Sequence, residues 1–148
     1  LWDSYNQFTV LSELEVYGTR PAGKRALAAA SATDSEPVAV LTSEGPQDET
    51  GWNAVDGDDA TAWVGQKAGG GYLVVEYRPT LTLSGLEVDV ADGALAEAQV
   101  LTSLDGQAWQ PLPEDLVANP VALNFLWVTF PADGSDAMPN VIEIRPNP

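Results

Sequence analysis

Residues 53–63 read NAVDGDDATAW, and three carboxylates, Asp56, Asp58 and Asp59, fall within four positions of that stretch. Such a density of negative charge in a short loop admits three explanations: a bound cation, a solvated Asp/Gly turn or a catalytic carboxylate pair. An EF-hand does not fit, because the twelfth position counted from Asp56 is Lys67, where a bidentate Glu is required. A glycosidase pair places its carboxylates ~5–9.5 Å apart across a sugar and usually draws them from different elements. A calcium loop is the sharper alternative to the solvated turn: a hard cation takes 6–8 oxygens, and a tight turn supplies both carboxylates and backbone carbonyls.

The composition narrows the chemistry further. There is no Cys and no His, which removes disulfides, thiolate nucleophiles, the usual zinc sites and His-dependent triads. Carboxylate chemistry or carboxylate metal binding is what is left. The formal charge is −16, from 22 acids against 6 bases. Of the bases, only Lys24 and Arg25 adjoin, so nucleic acid, anionic membranes and sulfated or uronic-acid-rich glycans are poor partners, whereas neutral ligands and cations are favoured. No apolar run approaches the ~20 residues of a membrane span. The chain opens LWDSYNQFTV, with neither Met nor a basic leader, and is expected to be a processed or excised piece of a longer one. Its 148 residues suit one core, burying roughly 68–70% of the unfolded surface.

The elements that must position the acidic loop are strands. Residues 8–17, FTVLSELEVY, alternate, with Phe8, Val10, Leu14 and Val16 on one face. GTRPAGKR at 18–25 reads as a linker, and ALAAASA at 26–32 has helical propensity but is short and uncapped. TSEGPQDETGW at 42–52 reads as a long polar loop. Strands are predicted at 72–77, 84–90, 98–103, 125–130 and 140–145, with a turn at Asp105-Gly106. Six short strands without a convincing long amphipathic helix predict an all-β sandwich or barrel.

The order of motifs adds a resemblance. N-A-V-D-G-D-x-x-T-x-W, followed by YLVVEY, AQVLTSLDGQAWQPL, FLWVTF and NVIEIRP, resembles the discoidin (factor V/VIII type C) domains over roughly residues 26–146, and is especially similar to the family 32 carbohydrate-binding modules. The resemblance implies a jelly-roll β-sandwich of the galactose-binding-domain-like kind, with one structural calcium ion at its edge. Carried over, the ion's ligands are the carbonyls of Asn53 and Asp58, the carboxylates of Asp56 and Glu143, and Thr61. Asp59 is then a bystander or an outer neighbour. SELEVYG also looks like the family's closing strand, so Glu13 or Glu15 competes with Glu143; NVIEIR follows the other motifs in the expected order and favours Glu143. Residues 1–23 are either the tail of a preceding domain with its linker or an added strand, and residues 24–148 form the sandwich.

Sugar recognition in such modules needs an aromatic platform with polar partners on loops. Trp63 and Trp109 are assigned to packing. Trp52 is the first choice for stacking, followed by Trp127, whose alternation phase opposes Leu126, Val128 and Phe130, and by Tyr72; Lys67, Asn124, Gln66 and Glu44 are the polar candidates. The galactose-binding members often carry a His in the site, and this chain has none. The expected function is a non-catalytic carbohydrate-binding module that holds an attached glycoside hydrolase or surface protein on a neutral glycan, as a monomeric domain, extracellular or at a bacterial cell surface. The alternative is a structural or protein-binding spacer without a sugar site. The two separate on Trp52: exposure beside a groove favours the first, burial the second.

Overall fold

The structure is a computed structural model, and it describes residues 35–66, 70–95 and 97–147. The readings made on residues 1–34, among them the 8–17 strand, Glu13, Glu15 and the helical stretch at 26–32, lie outside the described residues, as does Lys67. Eight strands are described: β1 (Glu36–Thr42), β2 (Trp63–Val64), β3 (Gly71–Leu83), β4 (Gly85–Val90), β5 (Gln99–Ser103), β6 (Gln110–Pro111), β7 (Val121–Phe130) and β8 (Asn140–Asn147), with one 3-10 helix at Glu49–Ala54. They form a five-stranded sheet in the order β1-β3-β7-β5-β6 and a three-stranded sheet in the order β2-β8-β4, with every pairing antiparallel. The expected all-β sandwich is what forms.

The period-2 pattern of the long strands dictates the two layers. On β3, Leu73, Val75 and Tyr77 point into the space between the sheets, where Leu123, Leu126 and Val128 of β7, Val40 of β1, and Val141 and Ile144 of β8 meet them. Trp63 is fully buried in this core, in agreement with its assignment to packing. β4 lends Leu86 and Val88 to the same core, as SGLEVDV predicts.

The opposite face of the five-stranded sheet is also apolar. Ala39, Leu41, Val74, Phe125 and Trp127 form a second buried cluster, with Tyr72, Leu101 and Trp109 packed against it. The rings meet edge to face: Trp109 and Trp127 at 5.2 Å between centroids, Tyr72 and Trp127 at 5.7 Å. Each such pair adds roughly 0.5–1.5 kcal/mol beyond its buried area.

Candidate functional site

The polar stretch 42–52 is not one loose loop. Asp48 caps the 3-10 helix, its carboxylate accepting from the Thr50 amide at 3.0 Å. The same carboxylate accepts from the Thr42 hydroxyl at 2.6 Å and from Trp63 Nε1 at 3.1 Å. Asp48 therefore ties the end of β1, the helix start and the core tryptophan together. Burial alone would raise its pKa, but the hydrogen bonds from Thr42, Thr50 and Trp63 outweigh that and hold it below the ordinary aspartate value. Gly51 lets the helix lie on β1: a Cβ there would sit 2.5 Å from Thr42 Cγ2 and 2.9 Å from Val40 Cγ1. The helix in turn folds Trp52 inward, leaving it 4% exposed among core residues. Trp52 is thus a packing residue, and the stacking role expected for it is corrected: the sequence places it in a polar loop, and the helical turn carries it into the core.

The acidic loop begins where that helix ends. Asn53 Nδ2 donates to the Ala62 carbonyl at 3.0 Å, closing the loop at its base. Asp56 Oδ1 accepts from the Asp58 amide at 3.0 Å, and Gly57, with φ +76°, makes the turn between them. Thr61 Oγ1 lies 2.9 Å from the Asp58 carbonyl and 3.0 and 3.1 Å from the two carboxylate oxygens of Asp56. From the other sheet, Glu143 Oε2 accepts from the Gly57 amide at 3.0 Å. Four of the five residues read as calcium ligands, Asp56, Asp58, Thr61 and Glu143, therefore meet around one turn, and Asn53 stands at its base beside Ala62. Asp59 faces elsewhere, paired with Arg145, which also bonds Asp89 at 3.0 Å.

Glu143 is 4% exposed. Burial, with the Asp56 and Asp59 charges adding to it, overcomes the Gly57 hydrogen bond and Arg145 and pushes its pKa up to about 7. A carboxylate so placed lacks enough positive charge nearby. Among the described residues no three acidic side chains converge as a chelating group. A cation here would rest on the two carboxylates of Asp56 and Glu143 together with carbonyl and hydroxyl oxygens, a hard-oxygen set that fits calcium by its chemistry.

The ligand candidates divide by position. Trp127 is 3% exposed, underneath Tyr72, so it serves as a base for that ring and not as an open platform. Asn124 is corrected as well. Its Nδ2 donates to the Leu104 carbonyl at 2.8 Å, and it lies five residues along β7 from Thr129, the partner of Tyr72, about 17 Å away at ~3.4 Å per residue. Tyr72, Glu44 and Gln66 do come together. Ser43 Oγ accepts from the Tyr72 amide at 3.3 Å and lies 3.4 Å from Glu44 Oε1, which accepts from the Gln66 amide at 2.9 Å. Tyr72 is half-buried, and partial burial followed by the Glu44 charge raises its hydroxyl pKa. Close packing of Gly71 against Pro139, Ser43 and Trp63 seats this corner beside β2.

Three residues carry roles that the sequence reading does not assign. Asp48 could have been found from the Asp-Glu-Thr run, which has the form of a helix N-cap. Gly51 and Arg145 carry no sequence signal beyond being a glycine and a lone base.

No family profile matches the chain, and no sequence among curated proteins matches it significantly. Solved structures match its fold. It is similar to a pectin-binding carbohydrate-binding module (23% identity, 77% of this chain and 92% of that one covered, TM-score 0.59). It is also similar to chitosan-binding module 1 of a chitosanase/glucanase from Paenibacillus sp. IK-5 (14% identity, 74% and 93% covered, TM-score 0.60). A third is the family 32 module of AlyQ, solved with 4,5-unsaturated mannuronic acid (16% identity, 75% and 95% covered, TM-score 0.56). These likenesses are of fold. They agree with the resemblance carried by the DGDDATAW and SLDGQAW motifs.

Proposed function

We propose that the protein is a non-catalytic carbohydrate-binding module whose glycan site is the corner formed by Tyr72, Glu44 and Gln66, beside a loop held by calcium. The observation that carries this reading is the convergence of a half-buried tyrosine ring with a carboxylate and polar backbone on a fold shared with sugar-binding modules. A ring backed by Trp127 offers a rigid apolar surface for a sugar face, and Glu44 offers acceptors for its hydroxyls. The net charge of −16 and the Glu44 carboxylate favour a neutral or amino-bearing glycan over a polyuronate. One small platform supports weak binding; micromolar to millimolar constants correspond to about 4–8 kcal/mol. Weak sites of this kind act by keeping an attached domain near its substrate, and the parent chain would supply that enzyme or adhesin outside the cell.

Asp56, Glu143, Thr61 and the carbonyls of Asn53 and Asp58 would hold the calcium ion. It would supply positive charge between two carboxylates, fixing the loop without taking part in chemistry. Asn53 closes the base of that loop, and Gly57 presents its amide to Glu143.

The burial of both Trp52 and Trp127 favours a second reading, a spacer domain without a sugar site. A broad glycan array decides between them. Binding to neutral or amino-sugar glycans that is lost in Tyr72→Ala supports the module; an array without a hit overturns it in favour of the spacer.

A further inference from the structure

The proposed function draws on the outward face of the five-stranded sheet only at Tyr72 and the Trp127 behind it, and leaves the rest of that face unused. An antiparallel sheet with one solvated face alternates apolar and polar residues. Here the outward positions Ala39, Leu41, Val74, Phe125 and Trp127 are apolar and only 0–3% exposed. Tyr72 and Trp109 shield the β7 side, yet Ala39 and Leu41 lie on β1, the edge strand at the other end of the sheet order.

From this we infer that this face is a docking surface for the chain's own N-terminal segment, residues 1–34, with the stretch FTVLSELEVY at 8–17 laid across it. The segment joins the sheet at the right place: it ends at Asp34, next to Ser35 and β1, whose outward residues begin the patch. It has the reach. Ten extended residues span about 33 Å, whereas five strands spaced ~4.8 Å make a sheet roughly 24 Å wide. It also has the matching chemistry, because alternation puts Phe8, Val10, Leu14 and Val16 on one side, interrupted by Ser12, and leaves Glu13 and Glu15 on the other with Thr9, Leu11 and Tyr17. A neighbouring domain or a second copy would need its own apolar face in the same place.

Photo-crosslinking in the full chain tests this. With Val10→p-benzoylphenylalanine, irradiation of the dilute protein should give links within one chain to residues 39–41, 74 or 125–127, located by peptide mass spectrometry. Thr9→p-benzoylphenylalanine, on the other side of the stretch, should give several-fold fewer. Links from position 10 that fall only elsewhere, or only between two copies, overturn the inference. Phe8→Ser provides a second readout with a small change: binding of a hydrophobic dye should rise several-fold as the face is uncovered, and unchanged dye binding with an unchanged tryptophan emission maximum overturns it.

Discussion

The acidic loop and the Tyr72 corner lie on either side of Trp63 and β2, and they are built in opposite ways. The loop at 53–62 is closed at its base by Asn53, cross-linked internally through Thr61, and pinned from the other sheet by Glu143. Its side chains spend their hydrogen-bonding capacity on one another and on nearby backbone. The corner hangs on the β3–β7 ladder at Tyr72 and on links through Ser43 and Glu44, and it presents a half-buried ring set against Trp127. Charge density thus marks the part pinned across the two sheets, whereas the corner has few charges and one aromatic side chain set against Trp127.

Substitution at Trp63 should break the loop side most severely. Trp63→Ala removes a fully buried ring and the partner of Asp48, and should destabilise the domain by about 3–5 kcal/mol in denaturant titrations. A loss below ~1 kcal/mol would mean that the ring does not anchor the loop.

Calcium should act next most strongly. Saturation at ~100 times the dissociation constant stabilises by about 2.7 kcal/mol, read as a higher melting midpoint than in chelator. Glu143 gives this a pH signature. Its folded pKa, raised to about 7, means that the folded state keeps a proton the unfolded state has released. In chelator, its contribution to stability should therefore fall as pH rises from ~4.5 to ~7, and Glu143→Gln should abolish that fall. With calcium the order should reverse, wild type melting above Glu143→Gln. Identical midpoints with calcium and with chelator contradict the structural ion.

Asp48 should give a smaller effect of opposite pH sense. Its folded pKa is lowered, so its stabilisation is present above the unfolded value near ~3.9 and is lost as pH falls through the folded value. Asp48→Asn should cost about 2 kcal/mol at neutral pH and flatten the acid limb of the stability profile. An unchanged acid limb would remove Asp48 from its place as the tie between β1, the helix and Trp63.

The smallest stability effect belongs to the corner. Tyr72→Ala leaves the inter-sheet core intact and should cost no more than ~1–2 kcal/mol, mostly through its contact with Trp127, while removing sugar binding. A loss as large as that of Trp63→Ala would make Tyr72 a packing residue like the tryptophan beneath it.

The difference between the two regions also explains what could be read from the sequence. The loop was legible because its residues are local: Asn53, Asp56, Asp58 and Thr61 occupy one short motif, and only Glu143 had to be brought from afar. SGLEVDV and FLWVTF were legible from alternation, and YLVVEY as a short apolar run after a glycine triplet. β1 was not, because EPVAVLT is short and follows an alanine-rich stretch. β2 and β6 are two-residue pairings, too brief for any pattern. Trp127 shows the limit of phase as a guide. Alternation gives the side of the sheet a residue faces, and FLWVTF gave that side correctly, but burial depends on whether the far face is covered. Trp52 shows another limit: a helix of six residues, capped by one aspartate, reverses what a run of polar neighbours implies. The Tyr72 corner depends on Ser43, Glu44 and Gln66 arriving from two separate loops, and that juxtaposition exists only in the fold.

The central claim is that recognition sits at Tyr72 and not at the tryptophans or at Asn124. Calorimetric titration of the full chain with its best array glycan, alongside Tyr72→Ala and Asn124→Ala, tests it most directly. Tyr72→Ala should weaken binding at least ~10-fold, equivalent to about 1.4 kcal/mol, with Asn124→Ala binding like wild type. Undiminished affinity in folded Tyr72→Ala would contradict that claim.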